Sequence, residues 1–264
     1  MAPAKEIVGW TALGQVQDGA LQGVLAGVPA GGPYRLDVQL LDAAGAPVAS
    51  AGIYELLVGD LWVLAGQSNM QGVGNRVNIE APHPQVHLFA MNHRWRLAEE
   101  PLHILCESPD PVHCTAQTEA ERRAQIEAWR DGPKGAGLGL PFATEMVRRT
   151  GRPVGLIASA HGGTSMAQWD PGLRDAGGDS LYGSMYKQVL AAGGPVRGVL
   201  WYQGESDANP EASRVFKDKF KALVAAMRSD FGVPELPFYY VQIGGFVVPG
   251  VDSAPWDLIQ TEQL

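Results

Sequence analysis

The sequence lacks long apolar runs and an excess of positive charge. Its most apolar window, "GIYELLVGDLWVLAG", is interrupted by Glu55 and Asp60, so we predict no membrane contact. The formal net charge of -8 argues against a nucleic-acid partner, which would need a basic surface. The start, "MAPAKEIVGW", has no signal-peptide core. The location therefore stays open: secreted or periplasmic if a leader was removed, and otherwise cytoplasmic.

The sequence is also poor in cysteine. Cys106 and Cys114 are its 2 cysteines, and His103 and His113 lie close to them. A zinc site usually needs more closely spaced pairs, so we expect either a local disulfide or two free thiols. No metal or other cofactor is predicted.

The pattern of the chain changes near residue 59. A length of 264 residues fits one large α/β domain with a small appendage, or at most two domains. Residues 1–58 contain short alternating segments, "LQGVLAGV", "PYRLDVQLLD" and "PVASAGIYELLVG", which predict a small β unit. Residues 59–264 contain continuous apolar runs followed by helical periodicity. This order predicts a parallel sheet covered by helices on both faces.

The predicted elements of the larger part alternate along the chain. The buried strands are "LWVLAG", "QVHLFAM", "PVGLIASA", "VRGVLWYQ" and "PFYYVQIGGF". The helices are "GLPFATEMVRRTG", "SLYGSMYKQVLAAGG" and "PEASRVFKDKFKALVAAMRSDFG", the last one opening at Pro210. Between Glu99 and Gly137 the chain is polar, with one short helix near "TEAERRAQIEAWRDG". A loop of this length is usually functional or disordered.

Polar residues follow three of these strands, where ligands bind in open parallel sheets. The loops are "GQSNM" from Gly66, "HGGTS" from His161 and "GESD" from Gly204. Ser68 in the first loop is a candidate nucleophile, although serine in this position often only caps a helix. The pair Gly162 and Gly163 offers N–H groups for an oxyanion hole, or forms a plain turn. Gln203 adds an amide donor.

The blocks "LAGQSNM", "GLIASAHGGTSMAQWDP" and "GVLWYQGESDAN", together with "EPLH" and "GLGLPFA", resemble the sialate O-acetylesterase and plant-type acetyl xylan esterase branch of the SGNH/GDSL hydrolases. The resemblance spans about residues 59–264. It implies a flavodoxin-like three-layer α/β/α sandwich and metal-free hydrolysis of acetyl esters on carbohydrates. Residues 1–58 are similar to the end of a β module that precedes such domains.

The resemblance assigns roles to several residues. Ser68 matches the nucleophile, and the N–H groups of Ser68 and Gly163 with the Gln203 side chain would bind the oxyanion. Glu205 either orients the loops, which we favour, or assists a histidine. We expect Trp169 to stack on the sugar. The remaining candidates for the oxyanion and substrate pocket are the neighbours Gln67, Asn69 and Gly162.

The resemblance fails at the general base. Relatives carry it in an Asp-x-x-His motif near the end of the domain, whereas the last histidine here is His161. We expect that the chain is a fragment and that the base lies beyond residue 264, with His161 as its substitute otherwise. The alternative is a noncatalytic carbohydrate-binding module. A lipase-type α/β hydrolase is disfavoured because "GQSNM" departs from the G-x-S-x-G elbow. Neither the sugar nor the oligomeric state can be predicted.

Overall fold

The structure is a computed structural model. It describes residues 5–21, 23–245, 250 and 252–264. The chain divides into two compact units. The smaller unit is Met1–Gly59 with Gly151–Pro153, and the larger is Asp60–Thr150 with Val154–Leu264.

The smaller unit contains an antiparallel hairpin of strands β1 (Gly31–Leu41) and β2 (Pro47–Val58). The side chain of Asp42 shapes the turn, because its Oδ1 accepts the N–H groups of Ala44 at 2.9 Å and Ala46 at 2.8 Å. The strand predicted at "LQGVLAGV" is not formed: residues 23–28 have no regular structure, and residue 22 lies outside the described residues.

The larger unit is built on a six-stranded sheet of order β10-β9-β3-β8-β5-β6. Its strands are β3 (Asp60–Gly66), β5 (Val86–Phe89), β6 (Trp95–Leu97), β8 (Val154–Ala158), β9 (Val196–Tyr202) and β10 (Phe238–Tyr240); β4 (Gly74–Asn75) and β7 (Lys134–Ala136) form a separate ribbon. All pairs in the main sheet are parallel except β5 with β6. The helices are α1 (Ser68–Gln71), α2 (Glu119–Asp131), α3 (Gly139–Thr150), α4 (Leu181–Ala192), α5 (Phe216–Asp230) and α6 (Ala254–Glu262).

Alternate residues of β3 face the two sides of the sheet. Trp62 and Leu64 belong to one apolar core, which includes Leu140 and Ala143 of α3. Val63 and Ala65 belong to the other core, which includes residues of α4, α5 and α6. This arrangement confirms the predicted flavodoxin-like three-layer α/β/α sandwich with a mainly parallel sheet.

The predicted and observed element boundaries differ in two places. Helix α5 begins at Phe216 and not after Pro210, because Asn209 Oδ1 accepts the N–H groups of Glu211 and Ala212 and holds that segment in a turn. Strand β10 is shorter than the predicted "PFYYVQIGGF", whose last residue lies outside the described residues. Each helix in the described part of the chain is too short or too polar to traverse a lipid bilayer.

The last residue of β3, Gly66, lies where the backbone conformation and the neighbouring strand require a glycine. Its φ is +130°, and a Cβ there would collide with the carbonyl oxygen of Tyr202 on the neighbouring strand. A residue with a side chain would therefore push β3 and β9 apart at the point where the Ser68 loop begins.

We predict that Gly66→Ala lowers the free energy of unfolding by about 3 kcal/mol, because backbone strain and a clash with backbone atoms act together. Gly232→Ala is the matched control: its φ is +66°, but nothing lies within 4 Å of the added Cβ. It should cost only about 1 kcal/mol. Urea unfolding of both variants measures the difference, and equal losses would contradict this account.

Candidate active site

The loops after β3, β8 and β9 are joined through backbone hydrogen bonds. The N–H of Gln67 donates to Tyr202 O at 2.9 Å, and the N–H of His161 donates to Gly66 O at 3.0 Å. These bonds continue the sheet ladder past the ends of the strands. The three loops predicted from sequence therefore meet at one place, with the first loop in the middle.

Ser68 is the first residue of helix α1, and Gln67 occupies the N-cap position. The hydroxyl of Ser68 is therefore not the cap of this helix, which removes the purely structural interpretation of that serine. Its hydroxyl has no hydrogen-bond partner among the described residues. The N–H of Ser68 lies in the first turn, where a helix leaves its N–H groups without internal partners.

The two glycines after His161 have different surroundings. A Cβ built on Gly162 would lie 3.5 Å from the Cβ of Ser68, so this backbone packs against the serine. The N–H of Gly162 donates to Gln71 Oε1 at 2.8 Å and is thus already occupied. Gly163 has φ +71°, and the space that a Cβ would fill there is open. Its N–H has no partner in the described part of the chain, so Gly163 is the better oxyanion donor.

Gln203 does not have the role that the resemblance assigns to it. Its side chain is fully buried, and its Nε2 donates to Asp207 Oδ2 at 2.5 Å and to Thr164 O at 3.1 Å. Both amide protons are therefore used inside the protein. Gln203 links the second loop to the third, and the predicted contact with an oxyanion is corrected.

Gln67 is also buried and connects loops. Its Oε1 accepts the N–H of Ser206 at 3.3 Å, which fixes the third loop against the first. Gln67 thus supports the pocket from behind and does not face a substrate.

Asn69 and Glu205 form a direct contact between the first and third loops. Asn69 Nδ2 donates to Glu205 Oε1 at 2.5 Å. The second carboxylate oxygen, Oε2, is buried and has no hydrogen-bond partner among the described residues. The contact agrees with the loop-orienting role that we favoured for Glu205.

Trp169 is a core residue. It is 0% exposed, its Nε1 donates to Thr164 Oγ1 at 3.0 Å, and its ring meets that of Trp201 edge to face at 5.3 Å between centroids. A buried ring cannot stack on a sugar, so the predicted substrate contact of Trp169 is wrong.

His103 and Glu100 lie buried behind helix α1. His103 Nδ1 donates to Gln71 O at 3.1 Å. Burial lowers the pKa of His103 to about 4. Burial also raises the pKa of Glu100 to about 7. The hydrogen bonds that its carboxylate accepts from the N–H groups of Gly137 and Leu102 act in the opposite direction but do not outweigh burial. His103 thus holds the end of α1, Glu100 holds the backbone at Leu102 and Gly137, and neither side chain faces solvent.

His161 contacts a histidine that the sequence prediction left out. His161 Nδ1 lies 3.1 Å from His113 Nδ1, and the two rings stack. Burial lowers the pKa of both histidines below the ordinary value, that of His113 to about 3. Asp110 to His113 has the Asp-x-x-His spacing, but it was missed because that pattern is expected near the end of the domain.

Cys106 and Cys114 form a disulfide, which decides between the two alternatives left open by the sequence. The bridge closes the loop that carries His113 and Asp110. It lies next to the short turns Leu105–Glu107 and Pro111–His113. The cysteines thus constrain the segment that packs against the second loop.

The three-layer fold is that of the SGNH-like carbohydrate esterases. Residues 58–263 match the family model described as carbohydrate esterase, sialic acid-specific acetylesterase. The chain belongs to this family, because the match covers most of its length.

Two curated relatives are similar to this chain in sequence. A probable carbohydrate esterase of Arabidopsis thaliana is 27% identical over 212 residues, which are 71% of each chain. Human sialate O-acetylesterase is 28% identical over 211 residues, which are 68% of this chain and 37% of the human enzyme. The chain thus spans little more than a third of that relative's length.

Two solved structures are similar to this chain. A carbohydrate acetylesterase from Xanthomonas citri has a TM-score of 0.63 at 25% identity, covering 90% of this chain and 53% of that one. The structure of the Arabidopsis thaliana protein has a TM-score of 0.58 at 26% identity, covering 78% and 80%. Both matches agree with the family assignment.

We predict that His103 makes the protein sensitive to acid. The pKa of His103 is about 4 in the folded protein and 6.5 ordinarily. Between these two pH values the unfolded chain binds a proton at His103 and the folded chain does not. Stability is therefore lost as the pH falls below 6.5. Between about pH 7 and 4.5 this residue should remove roughly 2 kcal/mol of unfolding free energy.

The measurement is urea unfolding at both pH values for wild type and His103→Asn. Asparagine keeps an N–H donor for Gln71 O but does not titrate. The variant should be less stable at neutral pH and should lose less stability on acidification. An equal loss in both proteins would contradict the prediction.

Proposed function

We propose that this chain is a serine-dependent carbohydrate O-acetylesterase with Ser68 as its nucleophile. The observation that carries the proposal is the position of Ser68: it begins α1 at the carboxyl end of a central strand and lies against the backbone of Gly162. The next residue, Gly163, has an N–H without a partner in the described part of the chain. Membership of a carbohydrate esterase family supports the reaction class.

The proposed reaction has two steps. Ser68 Oγ attacks the acetyl carbonyl carbon, its proton passes to a base, and the sugar oxygen leaves with that proton. Water then attacks the acetyl-enzyme and releases acetate, so that Ser68 regains its proton. The N–H groups of Ser68 and Gly163 would stabilise the oxyanion in both steps.

Asn69 and Glu205 keep the first and third loops together during this reaction. Their hydrogen bond joins the residue after the nucleophile to the loop that follows β9. Gln67, Gln71 and Gln203 add links from behind. We assign these side chains to holding the pocket in shape and not to contact with the acetyl group.

The substrate proposed is an acetylated carbohydrate, with sialic acid and xylan-type glycans as the two candidates. The family description and the human relative name sialic acid. The polar segment from Glu99 to Gly137 is the proposed determinant of the choice. Acetate release from O-acetylated sialic acid and from acetylated xylan, measured side by side, distinguishes the two.

We predict that Ser68→Ala lowers kcat for p-nitrophenyl acetate at least about 10³-fold, because no other hydroxyl takes the place of the nucleophile. Ser165→Ala is the matched control in the neighbouring loop, where the hydroxyl meets Gln168. It should stay within about threefold of wild type. Equal hydrolysis by wild type and Ser68→Ala would contradict the proposal and favour a noncatalytic module.

A further inference from the structure

The second loop forms a turn between His161 and Thr164, and Gly163 lies inside this turn. Thr164 Oγ1 donates to His161 O at 2.7 Å, which closes the turn. Gly163 has φ +71°, a left-handed conformation that glycine adopts without steric cost. The direction of the Gly163 N–H therefore depends on how the two ends of the turn are held.

Each end of the turn has its own hydrogen bonds. At one end, Thr164 O accepts from Gln203 Nε2 at 3.1 Å. At the other end, the backbone N–H of His161 donates to Gly66 O at 3.0 Å. The side chain of His161 adds a further contact at this end, because its Nδ1 lies 3.1 Å from His113 Nδ1. His113 thus holds the turn from outside the sheet ladder.

His113 is in turn bound to helix α4, which packs in one of the two apolar cores. His113 Nε2 lies 3.0 Å from Ser184 Oγ. Ser184 Oγ donates to Asp110 Oδ2 at 2.6 Å, and Lys187 Nζ donates to Asp110 Oδ1 at 2.5 Å. Asp110, His113 and Ser184 are all buried. The side chain of His161 is therefore connected to α4 through buried groups.

Every donor in this connection has an acceptor. Burial acts to raise the pKa of Asp110, but the hydrogen bonds and charge of Lys187 and the hydroxyl of Ser184 outweigh it, so the net pKa is lowered. An ionised carboxylate only accepts, so Ser184 uses its proton on Asp110 and accepts from His113 Nε2. Burial lowers the pKa of both histidines and keeps them neutral near pH 7. The bare Nδ1 of His113 then accepts from His161 Nδ1, and this satisfied network favours a single arrangement.

We propose that His113 is a positioning residue of the oxyanion hole: it connects the His161 end of the turn to helix α4 and thereby fixes the N–H of Gly163. This inference rests on the proposed function, in which the N–H groups of Gly163 and Ser68 bind the oxyanion. His113 acts through the turn and touches no reacting atom. An oxyanion donor acts most strongly in the transition state, so a loosened turn should lower kcat and leave KM nearly unchanged.

The test is His113→Phe, which keeps an aromatic ring beside that of His161 but removes both hydrogen bonds. We expect kcat for p-nitrophenyl acetate to fall about tenfold, because the oxyanion donor is displaced and not removed. The KM should stay within about twofold of wild type. In ¹⁵N-labelled protein without substrate, the amide signal of Gly163 should move or broaden, since its turn is held less firmly.

His83→Phe is the matched control. His83 lies just before β5, at the amino end of the parallel sheet and thus opposite the three loops. Its Nδ1 accepts the N–H of Gln85 at 3.1 Å, so the variant also loses a histidine hydrogen bond. We expect the Gly163 amide signal to stay where it is in wild type, and kcat to stay within about twofold.

Ser184→Ala tests the same connection without a change to either histidine. The Ser184 hydroxyl meets His113 and Asp110, so its effect on the turn passes through His113. The single variant should lower kcat about threefold, and the double variant with His113→Phe should be no slower than His113→Phe alone. If His113→Phe does not fold, Ser184→Ala is measured in its place, with the same change expected in the Gly163 signal.

An unchanged kcat in His113→Phe would overturn the inference. So would a lower kcat with an unchanged Gly163 signal, a higher KM at constant kcat, or losses that multiply in the double variant. These results differ from failure of the proposed function, in which Ser68→Ala hydrolyses the ester as fast as wild type does. The Gly163 signal is read without substrate, so the two conclusions are tested separately.

Discussion

The pair of backbone hydrogen bonds at the end of β3 is the constraint on which the site depends. Gln67 donates to Tyr202 O, and His161 donates to Gly66 O. Through them, the parallel register of three strands continues into their loops. The loops are far apart in sequence, yet each must leave the sheet at the same level. Ser68 is placed by this ladder, and Gly66 allows the close approach of β9 that the ladder requires.

Buried amides and carboxylates extend the same constraint beyond the backbone. Gln71 holds Gly162, Gln67 holds Ser206, and Gln203 holds Thr164 and Asp207. All of these contacts except the one between Gln203 and Asp207 join two different loops. A buried amide with satisfied partners favours one arrangement, since leaving any of its groups unpaired in the interior is costly. The polar residues of the three loops therefore divide between a few that face the pocket and a larger set that keeps its shape.

Sequence patterns predicted the sheet, the helices on both faces and the meeting of the three loops, because apolar periodicity and strand ends depend on short stretches of chain. They did not predict side-chain partners. Trp169 and Gln203 were assigned to the substrate, yet both side chains are buried. Trp169 donates to Thr164 and Gln203 donates to Asp207, so both form their hydrogen bonds inside the protein. His113 was missed because its link to His161 depends on how the disulfide-closed segment packs, which no local pattern encodes.

The central claim is that Ser68 is a nucleophile facing a preformed pair of N–H donors. A crystal structure of the protein after reaction with diethyl p-nitrophenyl phosphate tests it most directly, because the bound phosphoryl group resembles the tetrahedral intermediate. The account predicts phosphorus bonded to Ser68 Oγ, with one phosphoryl oxygen within hydrogen-bond distance of the N–H groups of Ser68 and Gly163. An unmodified Ser68, or an adduct on another residue, would contradict it.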